Sequence, residues 1–210
     1  MAEFVTLWWM LQEVQLNDQD DTIRWKWTAS GNYSAKSAYN AQLVGAFCPF
    51  DNSAIWRAKV EGKHRFFAWL LVQEKILTAD KLMLRNWPCN PVCSLCQQEQ
   101  ETAEHLVLHC VYAREVWWLV SSWTEGVIQM PIAGQTLQNW WNDSLVGLPK
   151  KLKQQRASIL IYTVWNVWKE RNRRIFDGAT ALPARILQMI KEDIKTRQLA
   201  CGGEELLAIN

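Results

Sequence analysis

The sequence predicts a mainly α-helical protein: a small helical domain entered through a short N-terminal β-hairpin, pinned by a cysteine-rich loop, and followed by a C-terminal helical pair. Three observations carry that expectation. Apolar residues recur at i, i+3, i+4 and i+7 in most long stretches, the mark of a helix with one buried face. Only one short stretch alternates apolar and polar residues with period two. Of the 210 residues, 49% are hydrophobic and 21% charged, which is enough apolar side chain to build a core.

The elements follow in order. Phe4, Leu7, Trp8, Leu11 and Val14 predict an amphipathic helix over 1–16, broken by the polar run at 17–21. In residues 23–28, Ile23, Trp25 and Trp27 alternate with Arg24, Lys26 and Thr28, a half-buried strand. Ala29-Ser30-Gly31 supplies a turn and residues 32–34 a brief return strand. Ser34 can cap a helix over 35–46, because its hydroxyl accepts a free backbone N–H.

Residues 64–76, with Phe66, Phe67, Trp69, Leu70 and Ile76, leave little polar face and predict a central core helix. Thr78 is expected to cap a following helix over 79–86, with Asp80 in its first turn. Residues 101–123 read as one helix or two abutting ones, with Thr102 as N-cap and Leu106, Cys110, Val116, Trp117 and Val120 along one side. Residues 126–134 are irregular, and 136–145 form a short helix ended by Gly147 and Pro149. The longest helix spans 150–176, with Ala157, Leu160, Ile161, Val164 and Trp168 as its stripe, and a last one spans 183–199. The segments are thus 1–20 (helix and linker), 21–123 (main domain), 124–149 (linker with a short helix), 150–200 (basic helical segment) and 201–210 (flexible tail).

Cys93, Cys96, His105 and Cys110 are spaced C-x2-C-x8-H-x4-C. Three thiolates and an imidazole are the ligand set of a tetrahedral structural Zn2+ site. The two-residue gap lets Cys93 and Cys96 turn back on one ion. His105 and Cys110 are about one and a half turns apart on a helix, close enough to complete the set. His109 adjoins Cys110, where neighbouring ligands would strain the backbone, so His105 is the preferred ligand. A redox pair is disfavoured, since that reading of C-x-x-C needs a βαβ setting. Six cysteines could also pair as disulfides or stay free, but the spacing favours metal.

Charge is uneven. Residues 150–210 carry 12 Lys/Arg against 6 Asp/Glu, while residues 1–149 are net acidic. No positively charged leader opens the chain and no run of eighteen apolar residues occurs, so neither export nor a membrane span is expected. Reduced cysteines without an export signal point to a reducing, intracellular compartment.

Several motifs in one order resemble the reverse transcriptase zinc-binding domain family of plant LINE-type (non-LTR) retroelement polyproteins. The likeness runs from about Asp21 to Trp118. Trp27, Gly31, Tyr33, Ser34, Ser37 and Tyr39 sit on that family's W-x3-G-x-[FY]-S-x2-S-x-Y pattern. Ile55-Trp56, KHRFFAWLL (63–71), LTADKL (77–82), CSLC (93–96), Glu101-Thr102, His105-Leu106, Cys110 and Val116-Trp117 follow. Residues 165–176, WNVWKERNRRIF, resemble segments downstream in such polyproteins. Lys63-His64 departs from the family's usual Pro-Lys pair. No Tyr-x-Asp-Asp polymerase stretch, endonuclease or ribonuclease H set is seen, and the deaminase signature is missing.

The resemblance implies a non-catalytic, zinc-binding retroelement domain that contacts RNA or single-stranded DNA. In such a contact aromatic rings stack on bases and cations neutralise phosphates. The candidate contacts are Lys81, Arg85, Trp87 and Arg114 near the cysteines, and Lys169, Arg171, Arg173 and Arg174 farther along. The alternative is a zinc-stapled protein-interaction module or retroelement relic, with the 14 tryptophans lining a partner surface.

Overall fold

The computed structural model describes residues 2–12, 22–42 and 51–201. Two compact units divide the chain, residues 1–49 and residues 50–210.

In the first unit α1 (Ala2–Gln12) and α2 (Ala35–Gln42) are helical; the ends of both expected helices, 13–16 and 43–46, lie outside the described residues. The expected hairpin over 23–34 is not formed. No strand occurs among the described residues of this unit, and a tight turn stands in its place. The Trp25 N–H donates to the Gly31 carbonyl (2.7 Å) and the Gly31 N–H to the Thr28 carbonyl (3.1 Å). Gly31 has φ of +71°, a left-handed conformation that a side chain would strain, and a Cβ there would meet Arg24 Nε at 3.1 Å. Ile23 is 99% exposed, so the alternation buries no sheet face, and a lone two-stranded ribbon is marginal in water. The Ser34 cap is present in reciprocal form. Ser34 Oγ accepts the Ser37 N–H (3.1 Å) and Ser37 Oγ accepts the Ser34 N–H (3.0 Å), a capping box built from two serines.

The described residues of the second unit form seven α-helices: α3 (Ser53–Arg57), α4 (Gly62–Val72), α5 (Ala79–Met83), α6 (Val111–Trp123), α7 (Leu137–Leu145), α8 (Lys150–Asn172) and α9 (Pro183–Ala200). α8 packs against α3, α4, α6, α7 and α9, and α9 also packs on α6. It is therefore α8, not the 64–76 stretch, that runs through the core. From Ala157 to Val164 every residue of α8 is buried. In α4 only one face is covered: Phe67, Ala68, Leu71 and Val72 are buried, whereas Phe66 is exposed and Trp69 and Leu70 are half-buried. α8 ends in a π-turn (Arg173–Asp177) stopped by Gly178 at φ +63°. The 136–145 helix belongs to the same core. Thr136 caps it through the Asn139 N–H (3.2 Å), and Trp140 and Trp141 are buried, Trp140 edge-on to Trp117. Among the described residues no helix is long and apolar enough to cross a membrane.

Candidate metal centre

Between α5 and α6 the chain forms a knuckle. The Cys93 N–H donates to the Glu99 carbonyl and the Gln97 N–H to the Cys93 carbonyl (both 2.8 Å), with Val92 and Gln100 bridged antiparallel. Gln97 turns the chain at φ +55°. The loop so closed aims Cys93 and Cys96 inward. Thr102 then starts a helical segment, its hydroxyl accepting the His105 N–H (3.1 Å), as its N-cap role requires.

His105–His109 is a π-turn, and Cys110 follows it with its N–H bonded to the His105 carbonyl (2.6 Å). This widening is what the H-x4-C spacing needs. On a regular α-helix five residues make about 1.4 turns, leaving His105 and Cys110 roughly 140° apart. An i→i+5 turn brings them onto one side, and such π insertions gather at functional sites. α6 begins immediately after, so residues 101–123 are two abutting helical pieces with Cys110 at the joint.

The ligand-type atoms of Cys93, Cys96, His105 and Cys110 all lie within 4.8 Å of one another. Cys93 and Cys110 are fully buried, their sulfurs 3.9 Å apart, and Cys96 Sγ is 3.3 Å from His105 Nε2. The five described cysteines are free thiols; Cys48 lies outside the described residues. His109 turns away from the cluster, its Nε2 3.1 Å from the Gln135 carbonyl oxygen. The hydrogen bond with Cys110 holds the Cys93 thiol down to about 4, while that contact and burial push Cys110 up. Hydrogen bonding to Cys93, then to Cys96, holds His105 up at about 9 against the effect of burial. A charge-separated thiolate–imidazolium set inside a core is costly unless something neutralises it. A divalent ion with soft-ligand preference does that, and the donor set fits zinc. His105 Nδ1 lies 3.2 Å from the exposed Glu99 carboxylate, though out of line for a hydrogen bond.

A second layer holds the knuckle. Glu101, 1% exposed, accepts three bonds from the Arg171 guanidinium of α8 (2.6, 3.1 and 3.2 Å). The same carboxylate accepts the Ala79 N–H at the start of α5 (2.9 Å). That bond replaces the expected Thr78 cap: the Thr78 hydroxyl donates to Asp80 instead (2.5 Å) and leaves the helix backbone alone. α5 is also shorter than expected, ending at Met83 rather than residue 86. Arg174 donates to the carbonyls of Ser94 (3.2 Å) and Leu95 (2.8 Å), the two residues between the paired cysteines. Its guanidinium stacks 4.5 Å from the Tyr112 ring and bonds Glu170 (2.9 Å). The buried Glu170 accepts from Arg173 (2.5 Å) and from the Ala181 N–H (2.9 Å) as well. Glu104 accepts the Leu137 N–H that opens α7 (3.2 Å).

The structure separates the eight candidate contact residues. Arg171 is buried, and Arg173 and Arg174 are half-buried and engaged by Glu170, while Lys169 lies 3.6 Å from Asp193. Arg114 is half-buried on α6. Lys81 is on α5 and Arg85 and Trp87 lie just beyond it; Trp87 is 67% exposed, and Lys81 is 3.5 Å from Asp80. The roles of Glu101 and Glu170 as buried partners of the arginines at the end of α8 were not read from the sequence. One signal was present: Glu170 precedes Arg173 and Arg174 by three and four residues, the spacing of helix ion pairs. Arg171 also falls seven residues after Val164, on the buried stripe of the helix.

A helical unit closed around a buried Cys3His cluster is the class of protein that this geometry defines. Residues 33–117 match the family model described as zinc-binding in reverse transcriptase. Over 194 residues the chain is 24% identical to an Arabidopsis thaliana protein named as a putative ribonuclease H protein. The alignment covers 90% of this chain and 30% of that relative's length. No solved structure matches.

Proposed function

We propose that this chain is a non-catalytic, zinc-binding module of a retroelement-derived protein, in which one zinc ion is held by Cys93, Cys96, His105 and Cys110. The convergence of four ligand atoms within 4.8 Å carries the reading. Four protein ligands fill a tetrahedral shell and leave no open position for substrate, so the ion is structural. The module contacts RNA or single-stranded DNA through the side bearing Lys81, Arg85 and Trp87, the cations and ring that stay outside the ion-pair layer of α8.

The test has two parts. Purified protein is expected to carry one zinc per chain by elemental analysis, and Cys96→Ser to carry less. Zinc-loaded protein is expected to bind single-stranded RNA in fluorescence anisotropy, with an affinity that drops as salt rises. A zinc-free protein of full helicity sinks the metal reading, and a zinc-loaded protein that ignores RNA at low salt sinks the contact.

A second reading, a protein-interaction module, has one observation in its favour: α1 exposes Trp8, Trp9, Met10 and Leu11 together. Exposed apolar patches of this kind mark partner surfaces. RNA-independent association lost in Trp8→Ser/Trp9→Ser would support it.

A further inference from the structure

α4 and α5 enclose an open groove of about 800 Å³. Leu70 and Leu84 give it apolar walls, and Lys75, Lys81 and Arg85 put three cations around it; Glu74 also lines it, and Asp80 lies 3.5 Å from Lys81. Leu84 is 77% exposed, an apolar side chain that the fold itself leaves uncovered. One helical turn before Leu70, on the same face of α4, Phe66 is 53% exposed, its ring stacked 5.8 Å from that of Trp69 at an interplanar angle of 29°. The aromatic pair therefore continues the groove along the helix face.

Flat aromatic rings and uncovered apolar side chains beside clustered cations match a strand whose bases are unpaired. Bases stack on rings in a sequence-tolerant way, while lysines and arginines follow the phosphates. A duplex hides its base faces and offers mainly phosphate to such a surface, so Phe66, Leu70 and Leu84 would gain nothing from it.

The groove also has a physical tie to the metal centre. Glu101, eight residues after Cys93 and four before His105, accepts the Ala79 N–H and so fixes where α5 starts. Its backbone carbonyl accepts the Asp80 N–H (3.3 Å) as well. The knuckle thus sets the position of the wall formed by α5, which carries Lys81, and the turn after it, which carries Leu84 and Arg85.

We infer that the groove between α4 and α5 is a single-strand-selective nucleic-acid cleft, with Lys75, Lys81 and Arg85 on the phosphates and the Phe66–Trp69 pair as the base-stacking platform. This inference rests on the nucleic-acid reading above and assigns it a place and a strand preference that the metal centre alone does not.

The test uses the full zinc-loaded chain and three fluorescent probes: a twelve-nucleotide oligo(U), an oligo(dT) of equal length and a twelve-base-pair duplex. Anisotropy titrations are expected to show both single strands bound at least tenfold more tightly than the duplex. Lys75→Glu/Arg85→Glu is expected to weaken single-strand binding more than tenfold, and Phe66→Ala at least fivefold. All these positions are on the surface, and circular dichroism with zinc stoichiometry verifies that the variants are folded. Three results overturn the inference: equal affinity for duplex and single strand, undiminished single-strand binding by both variants, or no oligonucleotide binding by the parent protein. In the second case the strand binds elsewhere and the wider nucleic-acid reading survives; in the third both fall.

Discussion

At the scale of single residues the metal centre is a problem in proton competition. His105, held up at about 9, and Cys110, pushed up by Cys93 and burial, both carry protons at pH 7 when no ion is bound. Zinc must displace them, because it binds neutral imidazole and thiolate. Each displaced proton makes affinity rise about tenfold per pH unit, so these two alone give at least about a hundredfold per unit below pH 9. Chelator-competition titrations at pH 6, 7 and 8 measure this slope; a flat profile would show that the ligands are already deprotonated. Trp117 sets the scale for packing. It is fully buried, donates Nε1–H to the Val107 carbonyl (2.7 Å) and meets Trp140 edge-on. Trp117→Ala is expected to cost about 3–5 kcal/mol in urea unfolding. The convergence of Cys93, Cys96, His105 and Cys110 was legible in the sequence because side-chain chemistry and spacing are local. His105 rather than His109 was legible for the same reason, since adjacent ligands cannot share an ion without strain.

At the scale of elements, what the sequence hid is mostly what comes from far away along the chain. Thr78 is a good local cap, yet a carboxylate 22 residues later took the Ala79 N–H. The C-terminal arginines look like a basic surface when counted, but Arg171 and Arg174 face inward because Glu101 and two knuckle carbonyls wait there. The period-two stretch at 23–28 failed differently: alternation makes a strand only where a second strand and a core can use it. Two predictions belong here. Arg171→Met strands the buried Glu101 carboxylate and is expected to cost about 3–5 kcal/mol, read from urea unfolding, with partial recovery in Glu101→Gln/Arg171→Met. Arg174→Met leaves all four ligands intact but frees the Ser94 and Leu95 carbonyls. Zinc affinity is expected to fall about tenfold to a hundredfold, as for other outer-layer losses, and cobalt substitution should report a changed ligand field. Unchanged affinity would mean that the knuckle stands without its clamp.

At the scale of the molecule, the ion and residues 50–210 should behave as one cooperative system. The ligand loop, α5 and α8 are joined through Glu101, and α8 touches most other helices. Ion binding stabilises the folded form by mass action, about 4 kcal/mol when free zinc exceeds Kd a thousandfold. Chelation is therefore expected to lower the melting temperature in a single transition, with hydrogen exchange rising in α5 and in residues 170–177 together. A rise confined to residues 91–110 would show a metal loop independent of its surroundings. Much of this architecture was readable in advance, because helical periodicity is clear in α6 and α9 and long apolar stretches mark α4 and α8. Which helix occupies the centre was not, since hydrophobicity alone does not distinguish the one-sided α4 from the enclosed α8.

The grip of Arg171 on Glu101 spans 70 residues, and Arg174 reaches back 79 and 80 residues to Leu95 and Ser94. Every member of the Cys3His cluster lies before Trp117, and both clamping arginines lie after it. A shorter open reading frame that stopped between the two would still display the full C-x2-C-x8-H-x4-C signature. It would lack the counter-charge for a buried carboxylate and the donors for two turned-in carbonyls. Pattern searches keyed to the ligands would count such a fragment as intact. The better criterion for a competent copy is joint inheritance of both stretches, with a change at position 101 tolerated only alongside one at 171.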